Sequence, residues 1–401
     1  MVQQGGLKIF TTIDSHLQSV AETALANRIA EIEKSKGETH ANGFGDPNTG
    51  LPDDNVLEGS FFAMDPEKGA IRAVVGSRDF SVSQYNRAMQ SRRQVGSTLK
   101  PLIYATAFAE KGYCPASTID SSKFDMTQAR NGVMPQGDSP EPIRVNDALV
   151  KSDDPSAVRM GIIVGPDLLN DYAHRCGVTS AIPAYPSSYL GACQISLNEM
   201  VGIYGTFENQ GQWVKQHIVV QVRDENDNVL YAFQPEGRKV FTPQVARQVT
   251  GMMQNVLDFG TGTPVREQFG FSAPAAGKTG TTNDYKDALF IGFTSHLVAG
   301  VWIGYDTPRE IMPGGYGAAV ALPVWATVMK QMTGSYQMND FPVPAGLAMT
   351  SVGGNIFGHG ERYYLTAEQR RLLDEEPSMP EAQEDRGNGK GFFDHILDIF
   401  R

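Results

Sequence analysis

Residues 275–306 read AAGKTGTTNDYKDALFIGFTSHLVAGVWIGYD. Within them AAGKTGTT, DALFIGFTSH and LVAGVWIGYD each follow the two-residue alternation of a β-strand, and only tight connections separate them. Next, VALPVWATVMKQM (320–332) reads as a helix. A late antiparallel set closed by a helix therefore sits near the end of the chain.

Working outward, LEGSFFAMDPEKGAIRAVVGS (57–77) reads as two more strands, joined at the hairpin signal DPEKG. LKIFTTID (7–14) alternates like a strand. It is followed by SHLQSVAETALANRIAEIEKS (15–35), where Leu17, Val20, Ala21, Leu25 and Ile29 recur near a helical period. GETHANGFGDPNTGLPDDN (37–55) breaks that pattern and reads as a loop. The middle of the chain reads as helical and loop-rich. Ser196 and Glu199 have capping-box spacing before an apolar face of Leu197, Met200, Val201, Tyr204 and Phe207, closed by Gly211. A second helix runs through QVARQVTGMMQNVLD (244–258) and stops at FGTGTP. Strands early, helices in the middle and an antiparallel set late imply an α+β fold, one domain whose sheet joins both chain ends.

The 401 residues, 41% of them hydrophobic, suffice for a sizeable core. Net charge is −11, and no stretch concentrates Lys and Arg enough to track a nucleic acid. No apolar run reaches the roughly 18 residues of a membrane span, so the chain as it stands reads as soluble. Cys114, Cys176 and Cys193 lack CxxC spacing, which leaves a Cys176–Cys193 bridge open but indicates no zinc site. The seven histidines are scattered. No metal and no cofactor are expected. Residues 1–56 are expected to lead into a catalytic domain spanning 57–340. Residues 341–401 are expected to form a flexible acidic tether, LDEEPSMPEAQEDRGNGKG, ending in a short amphipathic helix, GFFDHILDIFR. The apolar face of that helix lacks basic residues, which favours a protein groove over an anionic membrane, or docking back onto its own domain.

The chemistry-bearing residues begin at QVGSTLKPLIY (94–104). Pro101 lacks an N–H and suits only a helix's first turn, so the helix starts at or just before Ser97. Ser97 and Lys100 then share a face, and the helix N-terminus places partial positive charge beside both. A lysine serves as base for a serine only when its surroundings hold its pKa well below the ordinary range. SDDPSAV adds Ser152, and AAGKTGTT adds Lys278, Thr279, Gly280 and Thr281 on a strand whose small residues leave its edge open to another chain. Lys278 supplies a fixed positive charge for a carboxylate. Gly260-Thr261-Gly262 lacks a Walker lysine and follows a helix, so it reads as a structural turn; Asn283 and Asp284 read as shaping the turn after Lys278-Thr279-Gly280.

SxxK, then SxD, then KTG, in that order, resembles the signature of penicillin-binding proteins and serine β-lactamases. The stretches YNRAMQSRRQVGSTLKPLIYATAF, LGACQISLNEMVGIYGTFENQG and GKTGTTNDYKDALFIGFT, together with GGLKIFTTIDSHLQ, resemble the transpeptidase half of a class A bifunctional penicillin-binding protein, over roughly residues 7–335. The resemblance implies a central antiparallel sheet flanked by helices, with a helical subdomain. It further implies that Ser97 attacks the D-Ala–D-Ala carbonyl of a peptidoglycan stem peptide and that Lys100 takes its proton. Ser152 would relay a proton to the leaving D-alanine. Lys278 and Thr279 would hold the terminal carboxylate, with Gly280 and Thr281 continuing that edge, and the backbone N–H groups of Ser97 and Thr281 would form the oxyanion hole. β-Lactams would acylate Ser97. The family's membrane anchor and glycosyltransferase half are missing from this sequence, which implies an excised or truncated chain from a protein working at the periplasmic face of the inner membrane.

One position departs from the pattern. The family carries Ser-x-Asn, and this chain has Ser152-Asp153-Asp154. An ionised Asp154 accepts hydrogen bonds but donates none, and its charge favours protonated Lys100. Three outcomes follow: a slow enzyme, an Asp154 neutralised by Lys278, or a domain that binds without turnover. The function classes left open are a D,D-transpeptidase, a hydrolase (β-lactamase or D,D-carboxypeptidase), and a non-catalytic module binding peptidoglycan or a protein partner.

Overall fold

A computed structural model of the chain describes residues 6–37, 56–126, 141–352 and 361–375. At its centre lies a five-stranded antiparallel sheet built from β1 (Glu58–Asp65), β2 (Ala70–Val75), β3 (Ala276–Thr281), β4 (Asp287–Thr294) and β5 (Leu297–Gly304), in the order β3-β4-β5-β1-β2. The register runs through Thr281 opposite Ala288, Phe290 opposite Val301 and Val301 opposite Phe61. The late strands thus meet the early hairpin edge to edge through β5 and β1.

Every residue of β1, β4 and β5 is buried, so their alternation sorts side chains between two cores instead of between core and water. Leu289, Ile291 and Phe293 join Phe62 and Met64 in a core with α2 (Lys100–Glu110), α4 (Leu197–Glu208) and α5 (Pro243–Phe259). Phe290, Val301, Phe61 and Ala63 face the other way, onto α1 (Ser15–Ser35) and α6 (Leu322–Met332). The one remaining long helix near the site, α3 (Asp154–Val164), packs against α2 within the first core.

Helix α1 is part of this body: Leu17, Ala21, Leu25 and Ile29 are fully buried in the second core, and Asp14 caps the helix by accepting from the N–H groups of His16 and Leu17. The preceding strand, Lys8–Thr11, does not join the central sheet. It pairs with Val219–Arg223, which pairs in turn with Val229–Ala232. This corrects the reading of the middle of the chain as helices and loops. These strands are short, and Val229, Leu230 and Tyr231 are all exposed, so they lack the half-buried alternation by which a strand is recognised.

The folded body also continues past residue 340, where composition suggests a tether. Leu347–Val352 pairs antiparallel with Glu361–Thr366, and a helix follows over Ala367–Glu375. Tyr363 and Leu365 bury themselves against Cys114 and Ala116, and the Gln248 amide donates to the Tyr364 carbonyl at 2.9 Å. That contact is over a hundred residues away in sequence, which is why local composition does not reveal it. The loop at 38–55 and the acidic stretch with its FFDHILDIF helix lie outside the described residues. Cys114, Cys176 and Cys193 are buried free thiols, and burial pushes those of Cys176 and Cys193 up to about 12.

Candidate active site

The site is assembled where the C-terminal end of edge strand β3 meets the turn that begins α2. Gly96–Leu99 forms a single 3₁₀ turn and α2 proper starts at Lys100, with Pro101 in its first turn. Gly96 sits at φ +52°, and a Cβ there would come within 2.7 Å of the Thr281 carbonyl oxygen. Only glycine permits this approach, which lays the Ser97 turn directly on β3. Gly280 serves the same packing from the strand side, since a Cβ there would meet the Val95 carbonyl at 2.8 Å. The segment leading to Ser97 is fixed by Arg93, which donates to Asp287 at 2.8 Å and to the Tyr305 carbonyl at 2.9 Å.

Ser97 is half-buried, lines the cleft and makes no side-chain hydrogen bond to another described residue. Behind it lies Lys100, wholly buried. Its Nζ donates to the Ser152 carbonyl at 2.7 Å, to Ser152 Oγ at 3.3 Å and to Asp154 Oδ1 at 2.6 Å. Burial pushes the Lys100 pKa down, and the adjacent Asp154 charge opposes this without reversing it. Lys278 is also fully buried, and its Nζ donates to Ser152 Oγ at 2.9 Å and to the Thr279 carbonyl at 3.2 Å. Burial and the nearby Lys100 charge push Lys278 well below the ordinary lysine range. The Ser152 hydroxyl therefore lies between two buried amines. It is held there by a left-handed backbone, φ 58°, which is rare for a residue with a Cβ and marks a constrained turn.

The two aspartates beside Ser152 divide their duties. Asp153 caps α3, accepting from Ser156 N at 2.8 Å. Asp154, 64% exposed, pairs with Lys100 and not with Lys278, which decides against neutralisation by Lys278. Thr279 Oγ1 is 2.8 Å from Thr261 Oγ1. The Gly260-Thr261-Gly262 turn thus borders the site, where sequence gave it only a structural reading. Thr281 Oγ1 accepts from Gly317 N at 2.9 Å, which ties the strand end to the short helix Gly317–Val320 just before α6.

Ser97, Ser152, Asp154, Thr261, Thr279 and Thr281 line a cleft of about 740 Å³, and Lys100 and Lys278 are buried beneath its surface. Its outer wall is Tyr285 and Tyr316, whose hydroxyls lie 2.9 Å apart. Asn283 and Asp284 also line it, and Asp284 is left-handed at φ 58° with its carboxylate held by Lys286 at 3.0 Å. Among the described residues no cluster of His, Cys, Asp and Glu is arranged to hold a metal ion. Chemically, the cleft offers an accessible hydroxyl, two amines biased toward the neutral form, a hydroxyl bridging them, and an edge strand.

A helix-start turn bearing Ser97, a second serine loop and a lysine-bearing edge strand around one cleft fit the penicillin-binding transpeptidase class of fold. The family profile "Penicillin binding protein transpeptidase domain" matches residues 59–330, and the chain belongs to this family. It is 34% identical over 299 residues to penicillin-binding protein 1A of Aquifex aeolicus, covering 73% of this chain and 40% of that protein. It is 30% identical over 360 residues to penicillin-binding protein 1A of Neisseria flavescens, covering 86% of this chain and 44% of that protein. The chain thus spans about two-fifths of the length of these curated relatives. Its fold matches the crystal structure of penicillin-binding protein 1A from Haemophilus influenzae with a TM-score of 0.78 at 21% identity, over 94% of this chain and 73% of that one. A Mycobacterium tuberculosis penicillin-binding protein solved with penicillin V matches with a TM-score of 0.68 at 24% identity, over 90% of this chain and 92% of that one. No described helix is long and apolar enough to cross a membrane.

Proposed function

We propose that this chain is a serine D,D-transpeptidase that cross-links peptidoglycan stem peptides through an acyl-enzyme on Ser97, at the periplasmic face of the inner membrane. The observation that carries this reading is the half-exposed Ser97 at the cleft, backed by two fully buried lysines that both hydrogen-bond Ser152. A donor peptide would lie along β3, its terminal carboxylate held by Lys278 and Thr279. Ser97 Oγ bonds to the penultimate D-alanine carbonyl carbon and gives its proton to neutral Lys100. The backbone N–H groups of Ser97 and Thr281 hold the developing oxyanion. The C–N bond then breaks, and the proton passes through Ser152 to the departing D-alanine amine. An acceptor amine attacks the resulting ester, its proton returns along the same path, and Ser97 is regenerated as the cross-link forms. A β-lactam follows the first half of this course, its ring amide opening onto Ser97.

A second reading is favoured by the 2.6 Å Asp154–Lys100 pair, which would hold Lys100 protonated and leave a domain that binds without turnover. Intact-protein mass after addition of a β-lactam separates the two. A single adduct mapped to Ser97, persisting for many minutes and absent from Ser97→Ala, supports the transpeptidase. Rapid loss of drug with no lasting adduct would make it a hydrolase. Intact drug and unmodified protein would leave the binding module.

A further inference from the structure

A second cleft, sharing no lining residue with the first, lies between α5, the short helix Val145–Val150 and the C-terminal hairpin. Its volume is about 390 Å³, within the roughly 300–1,000 Å³ of small-ligand sites. Arg247 projects from α5 into this wall and is only 7% exposed. A buried guanidinium presents five N–H donors and is ordinarily met by a carboxylate. Here Nη1 donates to Gln254 Oε1 at 3.1 Å, Nε has no hydrogen-bond partner, and no carboxylate of the described residues forms an ion pair with it. The Tyr364 ring lies 3.9 Å from the guanidinium carbon and supplies a flat apolar floor.

The space is built into the helix. Gly251 sits one turn after Arg247 inside α5, and a Cβ there would press on Tyr364 at 3.3 Å and on Arg247 Nη1 at 3.4 Å. Glycine weakens a helix interior, so this position gives up helix stability to seat the guanidinium on the tyrosine. Arg362 lines the same cleft. Of the two carboxylates among the described lining residues, Asp258 is engaged by Arg266 at 2.9 Å, which leaves Asp340 near Arg247. Burial lowers the Arg247 pKa, with Tyr364 and Asp340 only partly offsetting it, as expected of a cation short of counter-charge. Besides two tyrosines, the remaining polar lining is amide: Asn146, Gln248, Gln254 and Asn255, with Asn255 donating to Asn146 at 2.8 Å.

We propose that this cleft binds a carboxylate-bearing ligand of short-peptide size, its carboxylate on Arg247 and Arg362 and its amide groups along Asn146 and Gln254. The site does not depend on the reaction proposed at Ser97. The probe is N-acetyl-alanyl-alanine with a free C-terminus, compared with the same dipeptide as its C-terminal amide. Binding is followed by calorimetry on the 401-residue chain and on Arg247→Gln, Arg362→Gln and Lys278→Ala. The expected result is a binding event that survives Lys278→Ala, weakens at least about tenfold in Arg247→Gln and about threefold in Arg362→Gln, and is absent with the amide. Any probe bound at the Ser97 cleft is lost with Lys278→Ala alone, so failure of either reading is seen separately. If all binding disappears in Lys278→Ala, or the amide binds as well as the acid, the proposal is overturned. Should Arg247→Gln fail to fold, Arg362→Gln, at an exposed position of its strand, decides: unchanged binding there also overturns it.

Discussion

The central sheet has ionisable groups of one sign set into it at two places, and one of the two borders the cleft at Ser97. At the β3 end, Lys100 and Lys278 are fully buried and both are pushed toward the neutral form. At the other, beside the β4–β5 turn, Glu208 is half-buried, with Oε1 accepting from His296 N at 3.1 Å and a buried Oε2 without a partner. Burial, reinforced by the charges of Glu67 and Asp65, raises its pKa to about 8. A displaced protonation equilibrium therefore does not by itself mark a site. The lysines differ from Glu208 in what stands in front of them: a serine hydroxyl reachable from solvent and a strand edge on which a substrate can lie.

The sharpest way to break that comparison is to remove one group from each end. Lys100→Met is expected to slow acylation by a β-lactam by about 10²–10⁴-fold, the range for loss of a general base. Glu208→Gln should leave that rate within about twofold, since it is confined to the far end of the sheet. Second-order rate constants of acylation, from quenched mass spectrometry, give both values. Equal losses in the two variants would mean that the far end reports on catalysis after all.

Next in size is an effect on stability alone. Glu208 has a folded-state pKa raised from 4.5 to about 8, so the folded state binds more protons than the unfolded one between these values. Its contribution is fully present below pH 4.5 and is lost as pH rises through about 8. Wild type should therefore lose on the order of 3 kcal/mol between pH 5 and 8.5 from this group. Glu208→Gln keeps an acceptor for His296 N and should flatten that slope. Denaturant titrations at the two pH values test it, and an unchanged slope in the variant would assign the pH dependence elsewhere.

How far the sequence exposes these features depends on how local their causes are. The strands of 275–306 and the α4 capping box are written in spacing and turn residues, so they can be read directly. Ser97, Lys100 and Lys278 are likewise visible as a motif series. Thr261 is not: it reaches Thr279 only because α5 ends where it does, and no local pattern announces this. The strands of 219–232 are hidden because they lack a half-buried alternation, and the paired strands after residue 340 because the groups they bury against, Cys114 and Ala116, lie far away in the chain. Which lysine Asp154 would meet was equally open, because the left-handed turn at Ser152 settles it.

The smallest predicted effect sharpens the lysine end itself. Asp154→Asn removes the anion that favours protonated Lys100, while the amide oxygen can still accept from Nζ where Oδ1 now does, at 2.6 Å. With that charge gone, only the weaker charge of Asp153 opposes burial at Lys100, and its pKa falls further. If Lys100 is the base, acylation rises with pH as the amine loses its proton, and this rise moves to lower pH in the variant. At pH 7 the gain is expected to be about threefold to tenfold, limited because Asp154 is 64% exposed and solvent screens its charge. The control is Asp153→Asn, which leaves an acceptor at the α3 cap and removes only the weaker of the two charges acting on Lys100, so it should move the profile less. A shift clearly larger in Asp154→Asn than in Asp153→Asn ties the pH dependence to the Lys100 pair. Identical profiles in all three proteins would show that Lys100 does not feel Asp154 in the reacting state, and that a different group carries the proton from Ser97.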